Sequence, residues 1–303
     1  MTFTYETSQT VWLVTGAATG LGLAQALRAL ARGDRVIATA RNTKRFDPVL
    51  ASLSDAERSR IHVLQLDVTA PFEEIQEVTK AAIARWGRVD VLVNNAGVNL
   101  GLGPSEELGG EQMMRVMQTN YAGVINVTNA LLPHMRARKS GTVIIVGSRS
   151  AYRNEIPSVA AYAASKAAVH SYGETLATEV RPWNIRVTIV APGTFDTSMN
   201  LPSIASGTRI PDYDDTRKAL AQMFRMLEDK PRKGDPMKCT DVVVDLVHGV
   251  GRAAGKEHWP LWLALGEDAI SDVRARAEKL MRTVDEWESA GVGLELDDKS
   301  VVG

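Results

Sequence analysis

The sequence predicts an α/β fold, a doubly wound parallel sheet with helices on both faces. Three observations carry that reading. Short β-branched runs alternate with helix-period segments along most of the chain. The first apolar run ends in a glycine-rich turn that opens a helix. The chain has 303 residues, 45% of them hydrophobic, which is enough for one large domain or two small ones. No internal repeat and no low-complexity linker interrupts it, so a single domain spanning 1–303 is expected.

The elements follow in order. Val11-Trp12-Leu13-Val14-Thr15 reads as a buried strand, and residues 21–32 as a helix ending at Gly33. Strands are expected at 35–40 and 61–66, a helix at 72–86 and a fourth strand at 89–93. Residues 111–138 read as a long helix, interrupted or bent near Gly123. A strand at 142–146, a helix at 160–180 and a strand at 185–190 complete the alternation. Strands that succeed one another through helices pair in parallel and are covered on both sides. Beyond Pro192 the pattern changes. Residues 197–238 are rich in proline and charge, with a helical piece at 216–227, and read as an insertion over the carboxyl ends of the strands. A helix is expected from Asp241 and a short strand at 259–265. Ala269, Val273, Ala277, Leu280, Val284 and Trp287 recur at steps of three and four, an amphipathic helix over 266–290. Residues 1–10 and 291–303 read as frayed ends.

Composition narrows the function. A formal charge of −1 gives no reason to expect nucleic acid or an acidic membrane surface as partner. The five histidines show no metal-ligand spacing, so no metal is expected. A single cysteine, Cys239, forms no intrachain disulfide and fits a reducing compartment. The first ten residues lack the apolar core of a signal peptide, and no apolar run is long enough to span a membrane. The expected location is cytoplasmic.

Two patterns carry chemistry. Thr15-Gly16-Ala17-Ala18-Thr19-Gly20-Leu21-Gly22 lies between the first strand and the first helix. There Gly16 permits a tight turn, Gly20 lets the backbone approach a pyrophosphate, and Gly22 lets the helix pack close to the sheet. The helix N-terminus supplies N–H groups and positive potential for the anion. At the end of the second strand a site for NAD places an acid on the ribose hydroxyls, but this chain has Ala40 and Arg41, with Lys44 and Arg45 near. A guanidinium forks onto a 2′-phosphate that an acid would repel, so NADP(H) is the expected cofactor. The second pattern is Tyr162-Ala163-Ala164-Ser165-Lys166. Residues four apart share a helix face, so phenol and ammonium point at one spot. An ammonium beside a phenol lowers its pKa, which would yield a proton donor and acceptor usable near neutrality.

With Asn94-Asn95-Ala96-Gly97, Asn120, Ser148 and Pro192-Gly193, these residues come in the order of the short-chain dehydrogenase/reductase family, which the chain resembles over about residues 11–199. The resemblance implies a Rossmann-like fold. It implies that Tyr162 protonates a carbonyl oxygen while hydride arrives from the nicotinamide, that Ser148 orients that carbonyl, and that Lys166 holds the nicotinamide ribose and lowers the tyrosine pKa. Asn120 resembles the residue that bends the long helix and anchors a water on the proton relay. Asn94, Ala96 and Gly97 resemble the turn that supports the central strand and the adenosine side. Asp67-Val68 resembles the adenine-contacting pair, Pro192-Gly193-Thr194 the turn that touches the carboxamide, and Thr197 the hydroxyl near the pyrophosphate. Thr19 and Leu21 belong to the phosphate turn. The gap from Ser148 to Tyr162 is one residue longer than usual in the family, so Ser150, of the same strand parity, is the alternative to Ser148. The segments Lys233-Gly234-Asp235-Pro236 and Leu263-Ala264-Leu265-Gly266, with the closing helix, resemble more loosely a branch of bacterial and fungal members acting on varied, often hydrophobic carbonyls, which does not name a substrate.

The expected activity is therefore an NADPH-dependent carbonyl reductase or alcohol dehydrogenase. A non-redox dehydratase, isomerase or cyclase on the same scaffold is the alternative, and a cofactor-sensing regulator a third class; the intact Ser148, Tyr162 and Lys166 argue against both. Met199, Leu201, Ile204, Ile210, Tyr213, Met223, Phe224 and Met226 in the expected lid point to an apolar pocket for a small-molecule ketone or alcohol. Family members pair their two long helices across a two-fold axis, so a homodimer or homotetramer is expected. Met113, Met114, Val116 and Met117, with Ala163, Ala164, Ala167, Ala168 and Val169, would line that face.

Overall fold

Parallel strands build one seven-stranded sheet in the order β3-β2-β1-β4-β5-β6-β7. They are β1 Val11–Val14, β2 Arg35–Ala40, β3 Ile61–Gln65, β4 Val91–Asn94, β5 Gly141–Val146, β6 Ile185–Pro192 and β7 Trp262–Leu265. The helices are α1 Gly20–Ala31, α2 Asp47–Ser52, α3 Asp55–Arg58, α4 Phe72–Trp86, α5 Ser105–Met117, α6 Gly123–Arg138, α7 Ala160–Val180, α8 Asp214–Glu228, α9 Pro236–His248 and α10 Glu267–Gly291. This computed structural model describes residues 9–153, 155–197, 208–228 and 234–295. The single-domain, Rossmann-like doubly wound sheet expected from the sequence is the one observed.

Strand alternation assigns the core. Trp12 and Val14 of β1 face α1 and α9, where they meet Ala26, Leu30, Val243 and Val247. Val11 and Leu13 face the opposite way, toward Ile75 of α4, Val127 and Leu131 of α6, and Val169 and Leu176 of α7. Both faces of the strand are thus dry, which is why its sequence is a continuous apolar run. Asp34, just before β2, is buried and accepts from Trp12 Nε1 at 2.8 Å, and His248 Nε2 lies 2.7 Å from it. These contacts tie the lower ends of β1 and α9 together. Arg28 and Arg32 on α1 reach Asp241 and Asp245 on α9, each at 2.6 Å.

The sheet changes direction between β1 and β4, its neighbours in the middle of the order. Chains leaving these two strands part in opposite directions, and a crevice opens above their carboxyl ends.

Several elements differ from the sequence reading. Helices α2 and α3 are additional; α3 is closed by a capping box between Ser54 and Glu57. The interruption expected near Gly123 in the 111–138 helix is present, as a π-turn at Gln118–Ala122 that joins α5 to α6. Helix α5 starts earlier, at Ser105, and Gly109 interrupts it with a φ of +65°. The last strand begins at Trp262 rather than at 259, because Pro260 has no N–H to give to a ladder. Trp259 still reaches β6 through Nε1, which donates to Val187 O at 3.1 Å. Residues 234–238 of the expected 197–238 insertion join the body. Gly234 bridges Phe195 in parallel, and Asp235 caps α9 by accepting from Met237 N. The remaining helical piece is α8, while Met199, Leu201 and Ile204 lie outside the described residues.

Candidate active site

The crevice is closed at its base by a tight junction. Gly16 turns with a φ of +62°, and a Cβ there would stand 2.9 Å from the Ala96 Cα, so only glycine permits the two turns to touch. Thr15 Oγ1 accepts from the N–H groups of Asn95 and Ala96, both at 3.0 Å. The Asn95 side chain donates back to Thr15 O and Gly16 O at 2.9 and 3.1 Å. Gly22 admits this amide, since a Cβ there would lie 2.3 Å from Asn95 Nδ2. Thr19 occupies the N-cap position of α1 without a side-chain capping bond, and the first turn carries no acidic residue. The helix therefore presents an open, positive N-terminus at the turn. Thr197 packs over it, 3.4 Å from where a Gly20 Cβ would be.

One continuous cleft runs from this turn in both directions. It is lined by Gly16, Thr19, Gly20, Leu21, Arg41, Asp67, Val68, Ala96, Gly97, Ser148, Tyr162, Lys166, Pro192, Gly193, Thr194 and Thr197. Gly22, Asn94 and Asn120 sit behind its wall. Asn94 is buried and donates to Thr128 Oγ1 at 2.8 Å, which fastens β4 to α6. Arg41 is exposed at the rim, and Arg45 also lines the cleft. Partial burial works to raise the Asp67 carboxyl, but bonds from the Thr69 N–H and hydroxyl, with the Arg41 guanidinium nearby, hold it below its ordinary value.

At the other end, α7 delivers Tyr162 and Lys166 and the end of β5 delivers Ser148. Ser148 and Tyr162 line the same stretch of the cleft, and the Ser148 hydroxyl works to lower the phenol's pKa. Ser148 Oγ also accepts from Ser150 N at 3.1 Å, so Ser150 serves as a backbone prop and Ser148 is the serine against the phenol. Lys166 Nζ donates to Val146 O at 2.8 Å and lies 5.8 Å from the Tyr162 ring centroid. Asn120 sits in the π-turn. Its side chain accepts from Val98 N at 2.7 Å and donates to Val98 O at 2.9 Å and Ser165 Oγ at 3.0 Å. It clamps the strand after Gly97 beside Lys166.

Burial pushes the Tyr162 phenol above its ordinary pKa, and the Ser148 hydroxyl works in the opposite direction. Burial pushes Lys166 itself down to about 8.

Three residues at the site were not singled out from sequence. His170, one turn beyond Lys166 on α7, accepts from Ser148 N at 3.2 Å through Nε2. Its ring packs against Tyr152 and Trp262, with centroids 5.4 and 5.1 Å away. The four-residue step from Lys166 was its only sequence signal. Asp268, in the first turn of α10, accepts from Thr194 N at 2.9 Å. Gly193 makes room for it, since a Cβ there would stand 1.8 Å from Asp268 Oδ1. Arg149 donates to Asp272 at 2.6 Å and Thr194 Oγ1 at 3.2 Å.

Burial, aided by the Lys166 charge, pushes His170 down to about 3. An unfolded histidine titrates near ~6.5. Between these pH values the unfolded chain holds a proton that the folded chain lacks, so stability falls as pH drops through that window. His170→Gln retains an acceptor and does not titrate. Urea unfolding of this variant should show a shallower loss of stability between pH 6.5 and 4.5 than the wild type. An identical slope would mean that His170 is not the buried neutral group described.

The chain matches the family model for short chain dehydrogenase over residues 10–206. It is 31% identical over 282 residues to "Oxidoreductase BOA17" of Botryotinia fuckeliana, covering 91% of this chain and 96% of that one. It is 35% identical over 181 residues to the "NADP-dependent 3-hydroxy acid dehydrogenase YdfG" of Escherichia coli, covering 60% of this chain and 71% of that one. A solved short-chain dehydrogenase from Streptomyces avermitilis superposes with a TM-score of 0.81 at 35% identity, covering 96% of this chain and all of that one. Sequence match, fold and cleft agree, and the chain belongs to the short-chain dehydrogenase/reductase family of oxidoreductases.

Proposed function

We propose that the protein transfers hydride between NADP(H) and a ketone or secondary alcohol, with a hydrophobic small molecule as substrate. The observation that carries this reading is the convergence of the Ser148 and Tyr162 hydroxyls beside Lys166, in a cleft continuous with an uncapped helix N-terminus and with Arg41. The residues suit a dinucleotide. Gly16, Gly20 and the α1 N-terminus would hold its pyrophosphate, Asp67 and Val68 the adenine, and Lys166 and Thr194 the nicotinamide half. When bound, the cofactor supplies or accepts the hydride.

The chain's own residues do the rest. Ser148 and Tyr162 donate to the carbonyl oxygen and stabilise the negative charge that builds there. Tyr162 then gives up its proton to that oxygen. The raised phenol pKa keeps the proton donor in place through neutral pH, which suits the reductive direction. His170 fixes the Ser148 backbone, and Asn120 fixes the wall beside Lys166.

Selectivity for the 2′-phosphate rests on Arg41. No acid follows β2, and a relative 35% identical is named as NADP-dependent. The lid reading is narrowed to α8 and the turn before it. Arg217 binds Glu107 of α5 and donates to Ile210 O at 2.8 Å, and Glu107 accepts from Ile210 N at 2.7 Å. These bonds latch α8 and the turn before it to α5. Leu220 is buried, whereas Met226 is 65% exposed. A homo-oligomer through α5 and α7 fits Met114, Ala164 and Ala167, which remain on the outer face. Light scattering that finds monomer alone at micromolar concentration would remove that assignment. No helix among the described residues is long and apolar enough to cross a membrane. With one buried cysteine, a reducing cytoplasm suits the chain.

Tyr162→Phe should keep fold and dinucleotide binding and lose turnover by about 10²–10⁴-fold, measured by nicotinamide absorbance against a ketone panel. Turnover within a few-fold of wild type would defeat the proton-donor role. Arg41→Ala should weaken NADPH by roughly ten- to a hundredfold and NADH little, since a charged fork to phosphate is worth about 1.5–3 kcal/mol. Equal losses for the two dinucleotides would show that Arg41 does not read the phosphate. Arg217→Ala should raise KM for the carbonyl, by up to about tenfold, with NADPH affinity unchanged, because one charge-assisted contact is worth about 1.4 kcal/mol or more. An unaltered KM would leave α8 without a lid role.

A further inference from the structure

Most of α10 extends away from the body. Of its 25 residues only Ala269 is buried. The helix is held on one side: Asp268 by Thr194, Asp272 by Arg149, and Lys279 by Glu155. A different side carries Ile270, Val273, Ala277, Leu280, Val284 and Trp287, at strictly alternating steps of three and four. This is a seven-residue repeat. A stripe with this spacing is a seam by which one helix meets another, and Met281, 61% exposed, borders it. Past Val273 the seam is bare, with Leu280 49%, Val284 61% and Trp287 65% exposed.

Charge identifies the partner. In the stretch that bears the bare seam, the first half (274–282) carries Arg274, Arg276, Lys279 and Arg282 against one acid, Glu278, and the second half carries Asp285, Glu286 and Glu288; Glu267, Asp268 and Asp272 lie before it. A second α10 laid antiparallel sets the basic half of each against the acidic end of the other; a parallel copy sets like against like. One antiparallel register uses every bare seam position. It pairs Ala277 with Trp287 and Leu280 with Val284, so that the smallest side chain faces the largest. The same register brings Arg274 beside Glu288 at both ends. A two-fold axis at the middle of the overlap closes the contact.

We propose that α10 is a docking helix for a second copy of this chain, pairing antiparallel about a two-fold axis. The surface is separate from the α5–α7 face. A single helix pair buries less than the roughly 1,200 Å² of a standard interface, so the contact alone is weak and gains strength when another interface holds the chains together.

Cysteine cross-linking of the full chain tests the register. Cys239 is buried, and burial pushes its thiol up to about 12, so it stays out of exchange. Under mild oxidation a mixture of the Ala277→Cys and Trp287→Cys proteins should give a covalent dimer of one chain of each kind. Neither variant alone should do so. Self-linking of Ala277→Cys would indicate a parallel pair and overturn the proposal, as would no mixed dimer. The double variant L280E/V284E, altered only at exposed positions, should keep the wild-type circular dichroism and show a lower mass by light scattering. An unchanged mass overturns the proposal. So does sedimentation of the wild type, but not of L280E/V284E, with phosphatidylcholine–phosphatidylserine vesicles at unchanged protein mass, which would make lipid the occupant.

Discussion

The close approach of two turns, one after β1 and one after β4, is the constraint on which the site depends. Gly16 and Ala96 touch because neither turn carries a side chain between them. That contact lets one threonine hydroxyl and one asparagine amide satisfy backbone groups on both sides. A buried turn without such partners would cost about 1–3 kcal/mol for each unpaired group. The two turns therefore form one rigid floor. From it α1 points its open N-terminus into the cleft, and the chain after β4 runs on to Val98, where Asn120 grips it. The phosphate end and the proton-transfer end are fixed to each other through this floor.

Burial then sets the character of the proton-transfer end. Tyr162 is pushed up, Lys166 down to about 8 and His170 down to about 3, all chiefly by loss of water. Each shift favours the neutral form. The pocket thus disfavours isolated charge and rewards a group that meets charge with hydrogen-bond donors already aimed. Lys166 keeps a carbonyl partner at Val146, and Ser148 keeps its backbone N–H on an imidazole that is itself neutral. Burial around Tyr162 favours the protonated phenol, an effect that spacing along a helix does not reveal.

What the sequence made legible follows from the range of the interaction. Strand runs, the glycine turn and the Tyr162–Lys166 step are local patterns, and each stands where periodicity placed it. Helices α2 and α3 carry too few apolar residues to show a period, and the π-turn is a shift in hydrogen bonding that side-chain spacing does not encode. Pro260 displaced the start of β7. The supports of the site were hidden for a different reason. Asp268 meets Thr194 across 74 residues, and Arg149 meets Asp272 across 123. Only the fold brings such pairs together.

Those two pairs also change how the closing helix is understood. Its first turn belongs to the site: Asp268 fills the space that Gly193 leaves open and holds the Thr194 N–H, while Arg149, next to Ser148 in sequence, bridges Thr194 and Asp272. Arg149 is largely buried and faces Asp268 and Asp272, so its charge is already matched within the wall. A cation matched in this way supports the turn at Thr194. The helix thus starts as part of the cleft wall and ends as a bare seam in solvent. A stiff rod of 25 residues links the two. The Asp268 carboxylate joins the first turn of this helix to the turn at Thr194.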